Sequence, residues 1–561
     1  VVGSRVAVAE PTWEFKAEFW PELVREVPQI LKSQDKTTGR FGTGIWIVTD
    51  QNVMFPLAVA WALPHPENPY YQQENLLQAI MDAGDALIDD QDDRGQWEFR
   101  KKDGSTWGKI YMPWIYSRWI RSFALIRQAM PQERRVRWEN ALTLGYTGIA
   151  NSALRHVHNI PAHHAMGLFC AGQVLNRPAW CDQARQFMAK VCATQDSGGY
   201  WSEHQGPVVG YNLVYTDALG TYFAMSQDEG VLPALQRAAE FHAAFTYPDG
   251  SRVETVDERN PYKSGVSLGT VGFTFSPLGR QFLKQQLQQT QADGKHVSAD
   301  AAASMILYGR EGPCGNGGLP SSFVLGDGDA MIARHEPWFL CLSAFCCEVP
   351  KSRWIQDRQS FCSLFHQQVG LIVGGGNTKL QPGWSTFCVG DASLLAHRPG
   401  DTHPDFRPPG RLWHVPDRVT LDVENQQLDL RYGEQECRLV ADTSDPKQVR
   451  LTLTAVNRTD HPVRANLTLL PHVGEAWTTE SGEGDVLAET PINLTARQTG
   501  SWFAHHGWRI SVPPTASIRW PVLPHNPYRK DGRASAGEGR IVLSIPFSSD
   551  QREATVIVDV P

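Results

Sequence analysis

Nothing in the 561-residue chain approaches the roughly 18 consecutive apolar residues of a membrane-spanning helix, so no such segment is expected. Cysteine is sparse, with ten residues at Cys170, Cys181, Cys192, Cys314, Cys341, Cys346, Cys347, Cys362, Cys388 and Cys437. That density is far below a disulfide scaffold, and many sit among apolar residues, so buried free thiols are expected. A basic excess is missing too. Lys and Arg number 52 against 60 Asp and Glu, a net charge of −8, and the arginines form no stripe and no zinc-finger spacing. Nucleic acid is thereby set aside as a partner, while a local basic cleft could still hold an acidic ligand. The Gly374-Gly375-Gly376-Asn377 run has no GxxxxGKS/T context and no strand–glycine–helix setting, which sets aside phosphate and dinucleotide binding. Gly (48) and Pro (37) stand at ordinary frequencies, excluding a collagen-like or wholly disordered chain. The chain opens Val1-Val2-Gly3-Ser4-Arg5, without Met and without signal-peptide character, which implies processing or trimming.

What the chain does have is length, for two or three domains, and aromatic surface. It is 41% hydrophobic and 10% aromatic, with 19 Trp, whose flat faces suit sugar rings as well as cores. Apolar residues three or four apart predict helices over 73–88, 114–130, 136–156, 178–194 and 231–246. Related loops follow several of them: Gln34-Asp35 to Gly39-Arg40-Phe41, Gln91-Asp92 to Gly95-Gln96-Trp97, and Gln195-Asp196 to Gly198-Gly199-Tyr200-Trp201. A weaker fourth is Asp249-Gly250. The aspartates at 35, 92, 196 and 249 predict a period of 53 to 57 residues, with one degenerate copy near 145. Two helices and two loops fill such a period, so a curved array or toroid of helical hairpins is expected, its loops on one rim. Beyond about 315 the pattern turns to strands, at 331–335, 338–342, 369–373, 448–456, 463–470, 503–510, 514–521, 539–546 and 553–559, with a surface loop at 397–412. The helical half is expected over 5–312 and the antiparallel β half over 313–561, with the join between 308 and 322. Any further division of the β half falls near 400–420. Sequons at Asn457, Asn466 and Asn493 lie in strand-like text.

Chemistry concentrates in three places. Arg155 to Gly167 holds His156, His158, His163 and His164, which packing rarely demands. Metal ligation is one reading, although no His-Glu-x-x-His occurs; a role toward substrate charge and ordinary packing are the others. Pro161 can start a helix and so place His163 and His164 in its first turn, where exposed amides favour an anion. Fifty residues on, Tyr211 and Tyr215 share a helix face, as a catalytic hydroxyl or as a core stripe. From Pro248 to Tyr262, Glu254 and Asp257 could form an acid–base pair, Arg252 and Arg259 could grip a carboxylate, or the segment could be loop structure. His335 is either a local loop residue or a contribution of the β half to an interdomain cleft.

In this order and spacing, Asn159 through His163-His164-Ala165-Met166-Gly167, Gly198-Gly199-Tyr200-Trp201-Ser202-Glu203 with Tyr211-Asn212, Pro248-Asp249-Gly250, and His335 resemble the heparinase II/III-like and alginate-lyase-like polysaccharide lyases. The resemblance spans about 75–400, with a similar domain order to the end. It implies a multidomain α+β protein, an incomplete (α/α) toroid followed by an antiparallel β-sandwich or sheet region. It also implies cleavage of a uronate-containing glycan by β-elimination. The family commonly has Asn-His where this chain has His163-His164, so the neutralising Asn is replaced by His163 or supplied by Asn159. Tyr211 best matches the family tyrosine, with Tyr215 close behind, and His335 looks like its β-domain histidine. Tyr211, Tyr215, His164 and His335 are thus the expected catalytic residues; Asn159, His163, Trp201, Glu203, Arg252, Arg259 and Tyr262 are expected to bind substrate. No cofactor and no catalytic metal are implied; a divalent metal would be structural. The implied partner is an acidic polysaccharide or oligosaccharide, and the implied location periplasmic or secreted. A glycoside hydrolase using a carboxylate pair such as Glu254 and Asp257, or a noncatalytic glycan-binding protein, are the competing readings.

Overall fold

The computed structural model describes residues 12–42, 49–100, 105–315, 319–395, 398 and 400–561. The opening Val1–Arg5, residues 5–11, 43–48 and 101–104 of the expected helical half, residues 316–318 of the expected join, and His397 and Pro399 of the expected loop lie outside the described residues. The chain divides into two compact units. One comprises Val1–Glu203, Gly210–Ala243 and Ser267–Gly318; the other comprises His204–Val209, Ala244–Val266 and Leu319–Pro561.

The first unit is helical. The Glu74–Asp90 helix buries Leu76, Ala79, Ile80, Ala83 and Leu87, the three-and-four spacing that the sequence predicts. Met54–Ala62 instead buries every residue from Met54 to Ala60, as a central helix must. It packs on Pro113–Ile126, which packs on Asn159–Val174, while Glu74–Asp90 packs on Gln132–Ser152. Alternate helices therefore touch, and Met54–Ala62 also packs on Glu74–Asp90 and Asn159–Val174 on Pro178–Ala193. Glycine permits close approach between helices. A Cβ on Gly145, inside Gln132–Ser152, would lie 1.9 Å from the Tyr116 hydroxyl of Pro113–Ile126.

The repeated loops are one structure built four times. In each, the first residue's amide bonds a carbonyl four or five residues on, as in Asp35 to Arg40, Asp92 to Gln96, Asp196 to Tyr200 and Tyr247 to Ser251. A glycine with φ of +74°, +85°, +89° or +79° closes each turn. Tyr247, not Asp249, holds the aspartate's place in the fourth copy, so that copy starts two residues earlier than the aspartate spacing implies. Position 145, where a degenerate copy is expected, lies instead within the Gln132–Ser152 helix. Three glutamines tie a loop to a later helix, Gln34 to the Ala79 carbonyl at 2.8 Å, Gln91 to Ala141 at 3.2 Å and Gln195 to Ala234 at 2.9 Å.

The second unit is built on two antiparallel sheets. One runs in space from Ile492–Thr495 through Ser517–Val522, Arg540–Phe547, Val463–Leu469, Gly370–Val373, Cys362–His366, Trp338–Ser343 and Ala330–His335 to Ser322–Leu325. The other runs from Arg418–Asp422 through Gln427–Tyr432, Gln435–Asp442, Gln448–Ala455, Glu553–Asp559, Trp508–Ser511, Trp502–His505 and Ala476–Thr479 to Gly484–Val486. Neither closes into a barrel. Leu340, Leu364, Leu467 and Leu543 of the first share one core with Leu439, Leu451 and Val556 of the second, so the sheets form a sandwich. All ten cysteines are free, and six of them are buried. The Asn466 sequon is closed by burial, its amide donating to the Ser385 carbonyl at 2.9 Å. Among the described residues no helix is long and apolar enough to cross a membrane.

Candidate functional site

In the helical unit, the Asn159–Val174 helix begins two residues before Pro161, so His163 and His164 fall in its second turn and not, as expected, its first. Both are buried. His163 Nε2 lies 2.8 Å from Ser117 Oγ, Nδ1 lies 3.9 Å from Asp217 Oδ2, and the ring meets the Trp114 ring edge-on at 4.7 Å. Burial, then the positive charges of Arg118 and Arg121 and the neighbouring His164, hold His163 well below the usual imidazole range. Burial also pushes His164 down to about 4, although its ring bonds the Tyr111 backbone. Both shifts favour the neutral ring, which presents hydrogen-bonding nitrogens. Asn159 stands half-buried at the start of the same helix.

His163 lines a cavity of about 260 Å³ with Trp114, Arg118, Asp217, Asp300 and Ser304. Arg118 grips Asp300 with two bonds of 2.6 and 2.5 Å. Burial raises Asp217 above the usual carboxylate range, against the pull of Arg121 and Arg118. The spacing of the tyrosines along the sequence carries no sign of this polar group, because its members come from four separate segments.

The Val209–Ser226 helix carries both candidate tyrosines, and their surroundings differ. Tyr215 is fully buried, stacked on Trp201 with ring centroids 4.8 Å apart, and its hydroxyl donates to Glu203 Oε1 at 2.8 Å. Burial, then the Glu203 charge, raises its pKa above the ordinary phenol value. Tyr211, one turn earlier, is half-buried. Trp201 is 1% exposed, its indole donates to the Val191 carbonyl at 2.8 Å, and Asn212 bonds its backbone in both directions. So enclosed, that indole packs the core and offers no face for a sugar to stack on.

In the sandwich unit, Arg252, Arg259 and Tyr262 are half-buried along one segment. Tyr262 reaches Asp249 Oδ2 at 3.3 Å. Glu254 accepts from the Gly375 amide at 2.8 Å and the Tyr247 hydroxyl at 2.9 Å. Asp257 accepts from the amides of Val209, Arg259 and Asn260 at 2.9, 2.8 and 2.8 Å. His335 ends its strand in register with Met331 and Ala333, whose side chains enter the sandwich core, and its Nδ1 lies 2.7 Å from Thr443 Oγ1. Its neighbour Arg334 takes the opposite face and donates to the Ala244 and Thr246 carbonyls. His335 is thus on the other side of its sheet from the segment bearing Arg252, Arg259 and Tyr262.

Sequence reasoning passed over Glu258. It accepts from the Gln205 amide at 3.0 Å and sits 3.8 Å from Arg358, which itself donates to the Val256 carbonyl at 2.7 Å. Burial pushes its carboxyl up to about 7, against the Arg358 charge. Arg358 is a hundred residues away in the chain, so no local signal marks the pair.

No family model matches the chain, and no curated protein matches it in sequence. Solved structures do match. The Streptomyces coelicolor A3 chondroitin AC lyase in complex with chondroitin sulphate superposes with a TM-score of 0.57 at 15% identity, over 100% of this chain and 80% of that one. A mutant of that lyase gives 0.53 at 15% identity with the same coverage. Heparinase III gives 0.55 at 11% identity, over 91% of this chain and 76% of its own. The chain shares the fold of these polysaccharide lyases.

Proposed function

We propose that this chain is a polysaccharide lyase that cleaves a uronate-containing glycan by β-elimination. The observation that carries the proposal is a fold shared along the full chain with a chondroitin AC lyase and over most of it with heparinase III. The packing of alternate helices on one another supports reading the helical unit as an incomplete (α/α) toroid.

Removing the C5 proton of a uronate places a second negative charge beside the carboxylate, so the site must hydrogen-bond that carboxylate as charge develops. Asn159 is proposed for this contact, with His163 and His164 positioned behind it. Tyr211 is proposed to take the C5 proton and return one to the departing O4. Its partial exposure supports this over Tyr215, whose burial and bond to Glu203 disfavour the phenolate. Tyr211 also replaces His335 as the proposed O4 donor, because His335 is turned to the sandwich side and engaged by Thr443. Arg252 and Arg259 are proposed to bind acidic groups along the polymer, with Tyr262 beside them. The same reading sets the enzyme in the periplasm or outside the cell, where such polymers are met.

A glycosidase needs two available carboxyl groups flanking the bond. Glu254 and Asp257 both spend their oxygens on backbone amides or the Tyr247 hydroxyl, which weighs against that alternative. The test is a screen of chondroitin-, heparan-, alginate-, glucuronan- and ulvan-type polymers, following the ultraviolet absorbance of the new C4–C5 double bond. Unsaturated products are expected. Cleavage that yields only saturated ends would overturn the lyase reading, and tight binding of a polymer left intact would establish a binding protein instead.

A further inference from the structure

The two-residue turn His506-Gly507 joins Trp502–His505 to Trp508–Ser511, with φ of +48° and +79° at its central residues. Hairpins of this kind are normally turned by Asn, Asp or Gly, for which the left-handed region costs little. Here histidine takes the first central position, and its neighbours show what it meets there. Ala476–Thr479 pairs antiparallel with Trp502–His505, with Trp477 opposite His505, so the residues just before Trp477 face those just after His505. This brings His472 and Glu475 against His506. The His472 and His506 rings stack with centroids 3.4 Å apart, and His506 Nδ1 bonds Glu475 Oε2. One ligand atom from each of the three side chains lies within 4.8 Å of the others.

The surrounding bonds hold this arrangement. Glu475 N donates to the His472 carbonyl at 3.1 Å, and the Leu487 amide donates to the Glu475 carbonyl at 2.8 Å. His505 Nε2 accepts from the His472 amide at 2.9 Å, so its other nitrogen carries the proton and donates to the Ala476 carbonyl at 2.9 Å. Both nitrogens of His505 are therefore spent, and it supports the loop without being a ligand. His472 Nε2 is different: it is buried, with no hydrogen-bond partner among the described residues.

We propose that His472, Glu475 and His506 bind one zinc-class divalent cation, which staples the loop before Ala476–Thr479 to the turn after Trp502–His505. Two imidazoles and a carboxylate suit zinc and its late-transition neighbours, whereas calcium and magnesium select all-oxygen sites. Tetrahedral zinc with bonds of about 2.0–2.1 Å sets its ligand atoms about 3.3 Å apart, so small side-chain rotations close the site. Water completes the shell. The role is structural, and it stands whether or not the chain is a lyase.

The experiment strips the full chain with a chelator, dialyses it, and titrates it with zinc by calorimetry, reading bound metal by atomic emission and unfolding by thermal melting. One zinc-dependent rise in melting temperature is expected, together with one tight site absent from His506→Asn, which keeps the left-handed turn. Glu475→Gln should weaken that site by about 10-fold or more. Calcium and magnesium should not substitute. Equal zinc content and an equal melting shift in wild type and His506→Asn would overturn the proposal, as would calcium binding in place of zinc.

Discussion

At the scale of single residues, what separates candidates is burial. Sequence spacing sets Tyr211 and Tyr215 on one helix as equals; the structure makes Tyr215 a core residue and leaves Tyr211 half-buried. Tyr211→Phe should therefore lower turnover by ~10²–10⁴-fold while sparing binding and the unfolding midpoint. Tyr215→Phe should do the reverse, leaving Glu203 short of a partner at a cost of about 1–3 kcal/mol in urea unfolding, with turnover of the folded fraction kept. If Tyr215→Phe abolishes turnover in a protein of normal stability, the catalytic role belongs four residues later. Glu258 offers a test by pH. Its carboxyl is raised from 4.5 to about 7, so its stabilising contribution is complete below about 4.5 and is lost as pH rises through about 7. Glu258→Gln should flatten the dependence of thermal stability on pH across that window; an unchanged slope would show that the carboxyl is not burdened as described. The histidine cluster was legible as unusual, but not the lowered pKa of His163, because that comes from burial and from Arg118 and Arg121, more than forty residues away. Trp201 misleads in the same way: an indole beside a glycine turn reads as a sugar platform until Tyr215 is seen stacked upon it.

At the scale of elements, the five helices expected between 73 and 246 form within a few residues of their bounds, since each obeys a local period, whereas strands such as Arg418–Asp422, Gln427–Tyr432 and Gln435–Asp442 were not anticipated. The repeat was legible where Gln-Asp and a glycine recur, and it failed where only the backbone recurs. Tyr247 performs the bond of Asp196 without resembling it. Helix packing also reverses a propensity argument. Alanine is the better helix former by roughly 1 kcal/mol, yet Gly145→Ala puts a methyl 1.9 Å from the Tyr116 hydroxyl. We expect a net loss of about 1–3 kcal/mol in urea unfolding, and a stabilised variant would mean that the two helices can part at no cost.

At the scale of the whole molecule, the order of helices before sheets was readable, but not which residues belong to which compact unit. His204–Val209 and Ala244–Val266 lie in the helical half of the sequence and cluster with the sandwich. Nor does a covalent link contribute, since all ten cysteines are free. A reducing agent should leave the melting temperature unchanged, and a drop would reveal a cross-link formed in solution. The interleaving of the units bears on biosynthesis. Tyr247 and Glu254 leave the ribosome well before Ser363 and Gly375, which lie 116 and 121 residues later and complete their hydrogen bonds. For that interval a nascent chain holds a phenol and a carboxyl destined for burial with nothing yet to bury them against. Lesions in the 362–375 hairpin should consequently appear as a poor yield of soluble protein, while the molecules that do mature work normally.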